Sequence, residues 1–249
     1  YIMILPAMGV TSDVISAFCR RTVFGYKFVA YSSIAIAGIG SLVWAHHMFA
    51  VGLGSVANTV FSAATMLIAI PTGVKIFNWI GTMWGGKVKF ELPMMFSIGF
   101  VSLFVIGGLS GVLHSVVPSD YQQHDSYFVV AHFHYVLFGG AVFGYVAGAY
   151  YWFPKWTGRM MNEAIARWNF WIMFIGFNLT FAPQHILGLD GISLPLFLVF
   201  LETALVAVGH RDDDARRLRL GHRTGGRAPS RATPSPGGRR TDRSCRRRR

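Results

Sequence analysis

Two histidines, His132 and His134, stand one residue apart in the apolar stretch VVAHFHYVL. Imidazole inside such a run is read either as a ligand, commonly to haem iron, or as a group hydrogen-bonded to a neighbouring helix. On a helix each residue turns about 100°, so the two rings point roughly 200° apart and cannot share one ion. As ligands they would serve two different centres on opposite faces, with Phe133 between them.

The adjacent pair in WAHHMF, His46 and His47, behaves differently, because neighbours at a helix end can swing toward a common ion. Neutral imidazole suits copper or zinc, and a third ligand must then come from elsewhere. The competing reading is an interfacial pair stacked near Trp44. In IPTGVKIF, Lys75 follows Thr72 by one helical turn inside an apolar run. A buried lysine lines a water-filled path or proton relay, or else snorkels to the nearer surface. His124 and Asp125 are adjacent in a polar loop, while Glu91 and Glu163 read as solvated charges. His114 and His185 read as single histidines satisfied near helix ends.

The elements that must position these groups are apolar runs near 1–18, 28–45, 56–82, 92–113, 127–152 and 167–188, with a shorter candidate at 192–209. Their length of about 20 residues matches a bilayer span, and a span must satisfy its own backbone polar groups, so each is expected to be helical. A soluble all-helical core is the weaker alternative. Small residues recur in IAIAGIGS and GGAVFGYVAGA, where they let helices approach closely. The fold class is therefore an all-α polytopic membrane protein with a bundle of six to seven transmembrane helices. The chain starts with Tyr, shows no signal peptide and reads as an internal fragment.

Lys and Arg number 3, 0, 2, 0 and 3 in the five successive loops, which sets the odd loops on the cytoplasmic side. That topology places His46, His47, His124, Asp125, His132 and His134 near the outer face. The net charge of +12 suggests a nucleic-acid binder, but residues 1–191 hold nine Lys/Arg against six Asp/Glu while residues 192–249 hold fourteen against five. The basic character belongs to the tail. Cys19 and Cys245 form neither a disulfide framework nor a metal motif, and leave the redox compartment open.

In this order on successive helices, WAHHMF, PTGVKIFNW and HDSYFVVAHFHYVLFG closely resemble subunit I of the haem-copper oxidases, specifically of the cytochrome c oxidases. The resemblance covers residues 1–191 and implies the second half of the family's twelve-helix subunit. It implies that His46 and His47 are two of three ligands to the copper called CuB. By the same likeness His132 is the axial ligand of the high-spin haem and His134 of the low-spin haem, both haems being A-type. His124 and Asp125 resemble ligands of a structural magnesium, and Asp120 a residue near a haem propionate. Thr72 and Lys75 resemble a proton path leading to Tyr1, which matches the family's tyrosine joined to a copper-ligating histidine. The third copper ligand and the second low-spin haem ligand would lie upstream of this chain.

The implied enzyme reduces dioxygen to water and pumps protons in aerobic respiration. It would sit in a bacterial plasma membrane with subunits II and III, take electrons from cytochrome c through subunit II, touch membrane lipid and bind no nucleic acid. The fragment alone is expected to be inactive. A quinol oxidase of the same superfamily would share every residue named, and a non-catalytic transporter or channel would use the histidines without haem.

The likeness runs through APQHILGLDG, where the family continues Met-Pro-Arg-Arg-Tyr and this chain reads ISLPLFLVFLETALVAVGH. Residues 192–209 are a candidate last span. Residues 210–249 are either a disordered cationic tail, which would touch anionic lipid or nucleic acid, or, as preferred, the product of a reading-frame error or deletion after about Gly191. Resequencing the gene decides between them.

Overall fold

The computed structural model describes residues 1–191; the candidate span 192–209 and the tail lie outside the described residues. Among the described residues all regular structure is helical. Five stretches among the described residues are long and apolar enough to cross a membrane: Tyr26–Val51, Ser55–Trp84, Leu92–Ser115, Tyr127–Thr157 and Glu163–Leu189. The first expected span is a shorter apolar helix, α1 (Ile4–Cys19).

Three expected runs are subdivided. The run at 28–45 is α2 (Tyr26–Leu42) continued by a 3₁₀ turn, Trp44–Val51, which carries His46 and His47. The run at 56–82 is two helices, α3 (Ser55–Leu67) and α4 (Ala69–Trp84). Pro71 has no N–H to offer the Leu67 carbonyl, and at the junction Ile68 N–H donates to the Thr65 carbonyl at 3.2 Å. The run at 127–152 is α7 (Tyr127–Val136), a π-helical turn over Leu137–Val142, and α8 (Phe143–Thr157). Such wide turns recur at functional sites.

The remaining helices are α5 (Leu92–Ser115), α6 (Val117–Gln123) and α9 (Glu163–Leu189). The short α6 forms within the stretch 114–126 that reads as a plain loop. Asn162 caps α9 by accepting from Ala164 and Ile165 N–H, and Ser126 caps α7 by accepting from Phe128 N–H. Gly158 ends α8 at φ 66°, a left-handed position where a side chain would be strained.

The core runs along α5, whose buried Phe96, Phe100, Leu103 and Phe104 meet α1, α4, α8 and α9. Phe96 stands edge-on to Phe170 at 5.1 Å, and Trp79 edge-on to Phe100 at 5.6 Å. Such pairs contribute about 0.5–1.5 kcal/mol each beyond burial.

The loops sort onto two ends of the bundle. Lys87 and Lys89 N–H donate to the Cys19 and Phe18 carbonyls at 3.0 Å, joining the third loop to the end of α1, where the first loop begins. Phe18 also meets Tyr151, whose ring lies under Lys155 of the fifth. At the other end Asn58 donates to Tyr121 Oη at 3.2 Å and Ser62 to the Ser115 carbonyl at 2.7 Å. The loops rich in Lys and Arg therefore share one end, and those bearing His and Asp share the other.

Candidate functional site

At the His-bearing end lies a cavity of about 610 Å³, within the usual range for ligand pockets. Tyr1, His46, His47 and Thr72 line it from the residues before α1, the 3₁₀ turn and α4. Asp120, His124, Asp125 and His132 line it from α6, the 124–126 turn and α7. Of the residues expected at the site, Lys75 and His134 lie outside the cavity wall.

His132 faces α5. Its Nδ1 lies 2.9 Å from the Gly107 carbonyl oxygen and 2.9 Å from Ser110 Oγ. A carbonyl can only accept, so Nδ1 carries the proton and a neutral ring keeps its lone pair on Nε2. The helices approach closely because Gly107 and Gly111 lack side chains: a Cβ at Gly107 would stand 2.9 Å from the backbone of Tyr135 and Val136, and one at Gly111 2.9 Å from His132 Cε1.

His134 points the other way. Its ring stacks on Phe181 of α9, with centroids 4.0 Å apart and planes at 17°. Its Nδ1 donates to the Val130 carbonyl at 2.8 Å, again leaving Nε2 free. Phe133 lies 4.4 Å from the His134 ring and also lines the cavity. The two imidazoles thus serve opposite sides of α7, as the 100° helical turn requires.

His46 and His47 sit with ring centroids 4.3 Å apart and planes at 66°. His46 Nδ1 is 3.1 Å from Thr65 Oγ1. Thr65 gives its own proton to the Phe61 carbonyl at 2.6 Å, so it accepts from His46, and Nε2 is the free nitrogen here too. Among the described residues no group of three or more His, Cys, Asp or Glu is arranged to hold a metal ion.

Asp120 is buried between two imidazoles, with His114 Nδ1 3.5 Å from Oδ1 and His124 Nδ1 3.5 Å from Oδ2. His124 Nε2 is 3.7 Å from Asp125 Oδ2, and Asp125 is exposed with φ 53°, a backbone state that Asp tolerates better than most residues. Lys75 is buried and its Nζ reaches Met8 Sδ at 3.5 Å, which excludes snorkelling. Because Met8 lines the cavity, one side chain separates the ammonium from the space beside Tyr1 and Thr72.

The expectation that His114 and His185 are satisfied holds for one ring nitrogen of each, since His114 Nδ1 faces Asp120 and His185 Nδ1 lies 3.4 Å from the Ala182 carbonyl oxygen. Each has a buried Nε2 with no hydrogen-bond partner, and His114 lines the cavity. The last turn of α5 meets α6 and α7 there, a tertiary contact to which helix-end position is blind. Glu91 and Glu163 are exposed, beside Lys89 and Arg167, as read. Thr65, Met8 and Ser110 were missed; the close small residues of GGLSG were the one local sign of the last.

A bundle of apolar helices whose one end holds an imidazole-lined cavity defines a polytopic membrane protein with a candidate ligand site. Residues 1–207 match the family model described as Cytochrome C and Quinol oxidase polypeptide I, and the chain belongs to that family. The match runs past Gly191, where the family phrase breaks off.

The chain is 53% identical over 197 residues to cytochrome c oxidase subunit 1 of Bacillus sp. (strain PS3), covering 79% of this chain and 32% of that protein. It is 54% identical over 202 residues to cytochrome c oxidase subunit 1 of Synechocystis sp., covering 81% and 37%. It is also 50% identical over 197 residues to quinol oxidase subunit 1 of Bacillus subtilis, covering 79% and 30%. The chain therefore spans about a third of the length of these relatives.

The haem-copper chemistry of the family fits the donor set. His46, His132 and His134 each commit Nδ1 to an oxygen, the arrangement that fixes a metal-binding imidazole and presents Nε2.

Proposed function

We propose that this chain is part of the catalytic subunit of a cytochrome c oxidase, reducing dioxygen to water with coupled proton pumping. The observation that carries this reading is one cavity that gathers Tyr1, the His46–His47 pair and His132, with His134 on the far side of the same helix. His46 and His47 hold CuB, His132 the high-spin haem and His134 the low-spin haem. Bound there, A-type haems and copper supply electron transfer and oxygen reduction.

The remaining residues position groups and handle protons. Asp120, buried between His114 and His124, holds the haem-propionate end of the cavity, and His124 with Asp125 offers imidazole and carboxylate to magnesium. Lys75 Nζ carries protons toward the Tyr1 hydroxyl, and the Met8 and Thr72 side chains line the last part of that route. The end rich in Lys and Arg faces the bacterial cytoplasm, so protons enter there and the metal sites lie near the outer face. The chain acts only within the full subunit and its complex with subunits II and III, through which cytochrome c delivers electrons.

Likeness to a quinol oxidase at 50% identity supports a second reading, in which the donor is a quinol. Oxidation of cytochrome c against quinol by the complete complex separates the two. The main test is a haem and copper analysis of the full-length protein with its optical spectrum. Two haems and a copper are expected; a protein without haem would be a transporter or channel instead.

A further inference from the structure

Ser110 has no part in the reading above, yet its hydroxyl closes a triangle with the atoms that hold His132. Ser110 is buried, and its Oγ donates to the Gly107 carbonyl at 2.9 Å. The same carbonyl is 2.9 Å from His132 Nδ1, and Ser110 Oγ is itself 2.9 Å from that nitrogen. With its proton given to Gly107, the hydroxyl turns a lone pair toward His132 N–H, and a hydroxyl that donates is the stronger acceptor. Gly111 closes the other side, since any Cβ there would press on His132 Cε1.

We propose that Ser110 is a positioning residue for His132, a second acceptor that fixes the rotation of the imidazole and strengthens Nε2 as a donor. A backbone carbonyl alone would let the ring pivot about one bond. Two oxygens on one N–H remove that freedom and leave more negative charge on the ring, which raises ligand basicity. Iron held by Nε2 is then bound more strongly and is harder to reduce. The inference rests on His132 being the axial ligand of the high-spin haem.

The test uses the complete oxidase with Ser110→Ala and Ser110→Thr. Resonance Raman spectroscopy of the reduced enzyme reads the iron–histidine stretch of the high-spin haem, and a redox titration reads its midpoint potential. Ser110→Ala is expected to move the stretch to lower frequency and the potential upward, while Ser110→Thr keeps both at parental values. A parental stretch and potential in Ser110→Ala overturn the assignment. If that variant does not assemble, Ser110→Cys takes its place, since a thiol is a poor acceptor, and the same two outcomes apply. A His132→Gly enzyme that kept the iron–histidine line would refute the axial-ligand reading itself, a result distinct from failure of the Ser110 assignment.

Discussion

The ammonium of Lys75 lies 3.5 Å from the thioether sulfur of Met8, and among the described residues no carboxylate pairs with it. A buried cation with so weak an acceptor is costly to the fold, which points to retention for function. Lys75→Met is therefore expected to leave the thermal unfolding midpoint of the complex equal or higher while lowering turnover by about 10²-fold or more, the usual worth of a positioned proton donor. Unchanged turnover would remove Lys75 from the proton path.

Thr65 holds His46 in the tautomer that frees Nε2, because its own proton is already given to Phe61. Thr65→Val keeps the shape and removes the acceptor. Copper affinity of the assembled enzyme is expected to fall about 10–100-fold, the common effect of losing a partner that orients a ligand. Metal content after titration with a chelator measures it.

The glycines of α5 differ in what a methyl group would meet. At Gly111 it would press on His132, whereas at Gly108 nothing lies within 4 Å. Gly111→Ala is expected to disturb the high-spin haem spectrum and leave the low-spin band, which the proposed function assigns to His134 across the helix. Gly108→Ala should assemble with the parental haem spectrum; equal effects at both positions would contradict the packing described.

Tyr135 Oη donates to Asn178 Oδ1 at 2.8 Å, tying α7 to α9 behind His134. Tyr135→Phe removes one hydrogen bond between helices, worth about 1 kcal/mol. A small drop in the thermal unfolding midpoint is expected, read by differential scanning calorimetry on the complex.

Much of the architecture was legible because membrane helices announce themselves by length and apolarity. Five of the expected runs appear as spans, and α1 as a shorter helix. The break before Pro71 and the π turn at Leu137–Val142 were not anticipated, since run length records hydrophobicity and not backbone geometry. The opposite facing of His132 and His134 was legible, because it follows from helical rotation within one element.

What this sequence determined by itself is thus what depends on near neighbours: helical spans, loops of alternating charge, and two imidazoles aimed to either side of α7. The tertiary structure alone decided what depends on distant residues meeting. Tyr1, His46, Asp120 and His132 come from four separate parts of the chain and share one cavity only because those parts pack together. The same packing brought His114 out of an ordinary helix end into the cavity wall and set Gly107 and Ser110 against the His132 ring and Thr65 against the His46 ring. A residue's type and spacing state which bonds it could make, and only the approach of its partner through space selects the one it does make.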